Sequence, residues 1–184
     1  PAYVLNDRER FYHCKTELFR IAGDVCREQD TPWVLYGYNA SDREDDRPGH
    51  RAAREAEALS PLSDAGITKA EIRLLMEDAG LELSGKPASP CLSSRIMTGV
   101  EVTPQRLRDV EAMEEILRKA GVSVLRVRVC RDEGGADFLR VEVAPEEMET
   151  VLKVREELQE AGLARGYRWV TLDMGGYETG GGVG

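Results

Sequence analysis

The 184-residue chain contains no C-x-x-C pair; its four cysteines, Cys14, Cys26, Cys91 and Cys130, are scattered. That spacing gives no support to a structural zinc site or a thioredoxin-like motif. With no secretory signal in view, the four read as free thiols in a reducing cytoplasm. Histidine is scarce: His13 and His50 are the only two, so a Ser-His-Asp or Cys-His catalytic site has few candidates. No apolar run approaches the roughly 18 residues that a membrane span needs, so no membrane partner is expected. Positive charge is in deficit, with a formal net charge of −9 and a pI of about 4.9. Such a surface repels nucleic-acid backbones and excludes a DNA- or RNA-coating role, although a small phosphorylated substrate can still meet a local basic cluster. An initiator methionine is also lacking. The chain opens on Pro1, and a fragment or a processed chain is the expectation.

Hydrophobic residues make up 41% of the chain, enough for one ordinary domain or for a larger piece carrying a small second one. Residues 7–29 read as a helix with Asp7 as cap, because Phe11, Cys14, Leu18, Ile21, Ala22 and Val25 recur at helical spacing. After Pro32, the all-apolar Trp33–Gly37 reads as a buried parallel strand. A polar loop from Asn39 to Gly49 and a short helix near 50–58 lead to Ser60-Pro61-Leu62. Thr68 and Glu71 form a capping box for a helix that should bury Ile72, Leu75 and Met76 and stop at Gly80. Helix and strand alternation indicates an α/β unit. One strand cannot make a doubly wound sheet, so the rest of the sheet is expected upstream of Pro1.

Residues 84–100 contain Pro87, Pro90 and Gly99 and read as a long irregular loop around Cys91, a length more typical of function than of simple connection. Beyond residue 102, Thr103 caps a helix with Pro104 at its first position and an apolar stripe of Leu107, Val110, Met113 and Leu117. Strands over 124–131 and 138–143 flank a Gly-Gly turn and read as a hairpin. A long helix from Pro145 to Ala161, ended by Gly162, precedes a last strand from Tyr167 to Asp173. The order α-β-β-α-β defines a small α+β module, followed by a glycine-rich tail expected to be disordered.

Three features carry chemistry. Cys91 lies on a proline-bounded loop beside the hydroxyls of Ser93 and Ser94 and the cation of Arg95. A nearby cation favours the thiolate, and a thiolate is the nucleophile; spacing alone leaves a structural, half-buried cysteine equally open. On the hairpin, Leu125, Val127, Val129, Leu139, Val141 and Val143 face one side, while Arg126, Arg128, Arg140 and Glu142 face the other. Arginines on a rigid strand pair suit phosphate or carboxylate recognition, and a solvated face of cross-strand ion pairs is the alternative. Asn39 and Asp42 follow the carboxyl end of a strand, where open α/β sheets bind ligands, or else they serve ordinary turn chemistry. Glu114, on the helix between Cys91 and the hairpin, reads by default as solvent-facing.

Taken in order and spacing, Tyr12-His13-Cys14-Lys15, Gly37-Tyr38-Asn39 with Asp42, Arg47-Pro48-Gly49, Ser60-Pro61-Leu62, Thr68 to Arg73, Lys86 to Arg95, Arg126-Val127-Arg128, Arg140-Val141-Glu142 and Thr171-Leu172-Asp173 with Gly176-Tyr177 resemble the LarE-type sacrificial sulfur transferases of the PP-loop ATP pyrophosphatase family. The resemblance runs from about Tyr12 to Tyr177. It implies an incomplete PP-loop, adenine nucleotide alpha hydrolase-like Rossmann-type domain over 1–85. A donor-cysteine loop over 86–102, an α+β domain over 103–177 and a tail over 178–184 follow.

The resemblance also implies an adenylating, single-turnover sulfurtransferase that acts in nickel-pincer cofactor biosynthesis for lactate racemase. ATP with Mg²⁺ activates a carboxylate of a pyridinium mononucleotide, and Cys91 gives up its sulfur. Ser94, Arg126 and Arg128 would hold the substrate phosphate, Asn39, Asp42 and Lys69 the ATP, and Glu114 and Glu142 a divalent metal. A cytoplasmic homo-oligomer is the implied assembly.

Four details qualify the match. No Ser-Gly-Gly-x-Asp-Ser phosphate loop is present, so this chain alone is expected to be inactive on ATP. Phe11 stands where the family often has cysteine, and Ser41 where it has the first of two aspartates. The Cys91 region carries a single cysteine, which favours the sacrificial mode over one built on an iron–sulfur cluster. Another PP-loop ligase or amidotransferase, or a shortened non-enzymatic paralogue, are the competing readings.

Overall fold

The computed structural model describes residues 2–43, 48–82 and 90–177. In chain order its elements are α1 (Ala2–Leu5), α2 (Arg10–Glu28), α3 (Pro48–Glu55), α4 (Pro61–Asp64), α5 (Lys69–Asp78), α6 (Pro104–Lys119), β1 (Leu125–Arg131), β2 (Asp137–Val143), α7 (Met148–Lys153), α8 (Arg155–Ala164) and β3 (Val170–Leu172). The chain is thus mixed α/β. It divides into two compact units, Glu9–Ser89 and a second that joins Pro1–Arg8 to Pro90–Gly184. Arg47 and Lys86–Ser89, singled out in the sequence, lie outside the described residues, as does the 178–184 tail.

In the Glu9–Ser89 unit, α2 starts at Arg10 with Glu9 at its N-cap, and no side chain caps it. Asp7 is not the cap, because Asn6 turns the chain away with a left-handed backbone (φ 54°), a conformation Asn tolerates better than most residues. The core here is Phe19 against Ala52 and Ala53 of α3, with Tyr12, Val34, Tyr36 and Ala58 around them. The stripe read from periodicity is not this face: Phe11, Leu18, Ile21 and Val25 are exposed. Periodicity marks an apolar face, and packing against the small side chains of α3 chose the neighbouring one.

The expected Trp33–Gly37 strand is reduced to a single parallel bridge, Leu35 to Leu59, held by Tyr36 N–H to Leu59 O at 3.0 Å and Leu59 N–H to Val34 O at 2.9 Å. Its direction is parallel, as read, but Trp33 and Leu35 are 61% and 62% exposed rather than buried. A strand buried on both faces needs neighbours on both sides, and among the described residues only the Leu59 segment pairs with it. The Thr68/Glu71 capping box opens α5, which half-buries Ile72 and Met76 but leaves Leu75 exposed.

The second unit carries a three-stranded sheet of order β1-β2-β3. β1 and β2 are antiparallel with Arg126 opposite Glu142 and Arg128 opposite Arg140, and β3 runs parallel to β2. Leu125, Val127, Val129, Leu139, Val141 and Val143 form the buried face, packed on Val110, Met113 and Leu117 of α6. The period-2 and period-3.6 patterns therefore meet as read. Thr103 Oγ1 accepts the Arg106 N–H to cap α6. The outer edge of β1 is partly covered where Met97 N–H reaches Val129 O at 3.0 Å.

The helix expected over 145–161 is instead a 3₁₀ turn at Pro145–Glu147 followed by α7 and α8, broken at Val154 (φ −108°, ψ 16°). Gly162 does not end it. It lies within α8 where that helix meets β3, and a Cβ there would stand 2.4 Å from Val170 Cγ2. Gly166, at φ +88°, follows the helix end instead.

Candidate functional site

The turn that carries Cys91 is built by one arginine. Leu92–Arg95 is a single 3₁₀ turn with Cys91 at its N-cap. Arg95 is 3% exposed; it donates to the carbonyls of Pro90 and Cys91 (3.1 Å). Its Nε meets Glu114 Oε1 at 2.9 Å. Glu114, read as solvent-facing, is fully buried. It also receives Arg118 at 2.6 Å and the Val127 N–H at 3.3 Å, so one carboxylate ties turn, helix and strand edge together. A buried carboxylate is stable only with such partners.

Of the four cysteines, Cys91 alone is exposed; Cys130 is buried and the other two are intermediate. Burial raises the Cys130 thiol's pKa, which keeps it in the unreactive protonated form. The Cys91 sulfur lies 2.9 Å from the Ser93 hydroxyl. Ser94, which the resemblance assigns to the substrate phosphate, donates its hydroxyl to the Cys91 carbonyl at 2.8 Å. The Cys-Leu-Ser-Ser-Arg spacing placed both hydroxyls near the sulfur, and only the 3₁₀ geometry decides which one touches it.

The polar face of the sheet begins beneath this turn. Arg128 is buried; it donates to Glu142 at 2.6 Å and to the Ser94 carbonyl at 3.2 Å. Arg140 shares Glu142 Oε1 at 2.8 Å and lies 3.4 Å from Asp173. The face is therefore partly the ion-pair network that was the bland alternative. Arg126 differs: it is half-buried, donates to Leu125 O at 2.9 Å and to the Tyr177 hydroxyl at 3.2 Å, and makes no ion pair among the described residues. Burial, reinforced by the Arg95 cation, lowers its pKa. Tyr177 had no role assigned from the sequence beyond its place in the ordered match.

Glu114 has both oxygens engaged by guanidinium groups. Among the described residues Glu142 Oε2 is buried without a hydrogen-bond partner, while its Oε1 takes two arginines. Among the described residues no group of three or more His, Cys, Asp and Glu side chains is arranged to hold a metal ion.

The three nucleotide candidates lie together in the Glu9–Ser89 unit. Asn39 Oδ1 accepts the Ser41 N–H at 3.0 Å, and Asp42 Oδ2 accepts the Asn39 N–H at 3.2 Å. The Ser41 hydroxyl takes the Lys69 N–H at 3.1 Å, which joins the turn to the start of α5. The Lys69 side chain is exposed. A cavity of about 340 Å³ lies between the start of α6 and the end of α8, lined by Arg106, Asp109, Asp137, Arg165 and Tyr167. Arg106 pairs with Asp137 and Arg165 with Asp109, and Glu101 also lines the cavity, so its lining carries one more carboxylate than guanidinium.

No family model matches the chain. It is 35% identical over 182 residues (98% of the chain, 66% of the relative) to an uncharacterized protein of Synechocystis sp.. It is 31% identical over 175 residues (95% of the chain, 62% of the relative) to the pyridinium-3,5-bisthiocarboxylic acid mononucleotide synthase of Lactiplantibacillus plantarum. An uncharacterized protein of Methanocaldococcus jannaschii is 26% identical over 171 residues. The chain thus spans between 62% and 66% of the length of these curated relatives. Among the described residues no helix is long and apolar enough to cross a membrane.

Proposed function

We propose that the chain is the sulfur-bearing part of an ATP-dependent sulfurtransferase that makes thiocarboxylates on a pyridinium mononucleotide, in the biosynthesis of the nickel-pincer cofactor of lactate racemase. The observation that carries this reading is Cys91: the one exposed thiol, on a turn locked by a buried arginine, at the edge of an arginine-lined face. The name of the Lactiplantibacillus plantarum relative supports the substrate class.

In this reading the substrate carboxylate meets Cys91 as an acyl-adenylate, formed with ATP and Mg²⁺ and release of pyrophosphate. The Cys91 thiolate attacks the acyl carbon and AMP leaves with the C–O electron pair. Loss of the Cys91 Cα proton then breaks the Cβ–Sγ bond. Sulfur leaves on the product as thiocarboxylate, and dehydroalanine remains at position 91. The Ser93 hydroxyl orients the sulfur, while Arg126, with Arg128 and Ser94, holds the substrate phosphate. Asn39, Asp42 and Lys69 bind the nucleotide within their own unit, and Glu142 is the carboxylate left for a divalent metal. The Glu9–Ser89 unit belongs on this reading to a PP-loop Rossmann-type domain, as its parallel Leu35–Leu59 bridge suits. The setting is the cytoplasm, where Cys91 stays reduced, and the assembly is a homo-oligomer.

The test bypasses nucleotide activation. The protein is given a preformed adenylate of the pyridinium mononucleotide carboxylate, and its intact mass is measured. Cys91 should lose the elements of hydrogen sulfide, and a Cys91→Ala variant should show no change. An unaltered Cys91 in the presence of thiocarboxylate product, or no product at all, overturns the proposal.

A further inference from the structure

The chain leaves β3 in a way that places one aromatic ring. Asp173 N–H bonds to Val141 O at 2.8 Å and Gly176 N–H to Asp173 O at 3.2 Å, which closes a turn; Tyr177 N–H then bonds to Val143 O at 2.9 Å. Gly176 is required there: its φ is +77°, and a Cβ would lie 3.0 Å from Val143 O. Val143 follows Glu142, the residue directly across the ladder from Arg126. The Tyr177 ring therefore comes down over Arg126, with the guanidinium carbon 4.9 Å from the ring centroid and the hydroxyl 3.2 Å from Nη2.

The hydrogen bonds on Arg126 leave capacity for a ligand. A guanidinium carries five N–H donors, and among the described residues two of them are engaged, by Leu125 O and the Tyr177 hydroxyl. Both acceptors are neutral. Arg95, Arg128 and Arg140 each have a carboxylate partner, so Arg126 is the cation of this cluster whose charge no ion pair balances among the described residues. Because the Tyr177 oxygen accepts from Arg126, its own O–H proton is directed elsewhere. An oxyanion bound at the remaining Arg126 donors meets that proton as an additional donor.

We propose that Tyr177 is a further residue of the phosphate site on Arg126: its ring holds the guanidinium plane, and its hydroxyl donates to the phosphate of the mononucleotide substrate. The assignment of the phosphate to that substrate rests on the sulfurtransferase reading. The site itself rests on the geometry of Arg126, Tyr177 and Gly176. Arg128, buried against Glu142, donates to the Ser94 carbonyl and so braces the turn from behind.

The test is a titration of inorganic phosphate into the wild-type chain, Tyr177→Phe and Arg126→Gln, read by calorimetry. The Arg126 Nε–H resonance is followed by NMR. Phosphate should bind the wild type and shift that resonance. Tyr177→Phe keeps the ring over the guanidinium and removes only the hydroxyl, so it should weaken phosphate roughly tenfold, the scale of one hydrogen bond to a charged group. Arg126→Gln should abolish binding. Nicotinamide mononucleotide should compete with phosphate better than AMP does. Equal affinity in wild type and Tyr177→Phe, or no phosphate binding to the wild type, overturns the site, and stronger competition by AMP overturns the assignment to the substrate phosphate. Sulfur loss from Cys91 is measured separately, so failure of the sulfur chemistry and failure of this site give different results.

Discussion

Glu114 shows how much a single side chain can decide. Its two oxygens receive Arg95 and Arg118 and it also meets the Val127 N–H, all inside the unit that carries Cys91. Replacing it with Ala leaves the Arg95 guanidinium buried and unpaired. Loss of one partner of such a buried pair costs about 3–5 kcal/mol, and urea unfolding of Glu114→Ala should show a loss of that order. The same variant should make Cys91 react faster with a thiol reagent in the folded state, because the Arg95 bonds to the Pro90 and Cys91 carbonyls lose their anchor. Unchanged reactivity would show that the turn holds its shape without Glu114. The residue could not be recognised from its own helix. Glu114 sits among Glu111 and Glu115, both exposed, and what separates it from them is an arginine 19 positions earlier.

At the scale of elements, α8 and β3 meet through a residue with no side chain. Gly162→Ala forces a methyl group to within 2.4 Å of Val170 Cγ2, an overpacking that typically costs about 1–3 kcal/mol. Thermal unfolding should register this loss, and Val170→Ala in the same chain should recover part of it by making room. Full stability of Gly162→Ala would mean that the helix shifts freely on the sheet.

The elements that sequence patterns located well are those whose cause is local. The β1–β2 hairpin follows from alternation around Gly134-Gly135, and α6 from Thr103 and Pro104 at its start. The break at Val154 and the glycine inside α8 are set by the fit of the helices to the sheet, which leaves no mark in a single sequence. The candidate site divides in the same way. The Cys91 turn and the arginine alternation were visible, whereas the choice of Ser93 over Ser94, and of Arg126 over Arg128 as the cation with donors to offer, needed three-dimensional placement. Tyr177 is 51 residues from its arginine, beyond the reach of any local pattern.

Taken as a whole, the molecule combines a net charge of −9 with apolar side chains left in water. Phe11, Leu18, Ile21 and Val25 line one side of α2, and Trp33, Leu35 and Leu59 are exposed in the same unit. An apolar stripe left in water, as on α2, marks a place where something else packs or where chains self-associate. The 184-residue chain should therefore enhance the fluorescence of an anilinonaphthalene sulfonate dye while still folded. Ile21→Lys with Val25→Lys should reduce that signal and change stability by no more than about 0.5 kcal/mol, as surface substitutions do. A large loss of stability would show instead that the stripe belongs to the core.

Asn6 gives the chain a timetable. Its side chain donates to the carbonyls of Ile96, Met97 and Val100, partners made 90 or more residues later during synthesis. In sequence, the Glu9–Ser89 unit lies between the two segments of the other and leaves the ribosome before the second of them. Closing so long a loop comes late, because its entropy must be overcome before the distant contacts form. The Cys91 thiol consequently gains its shaped surroundings only in the last stage of folding, after residues 9–89 have already emerged.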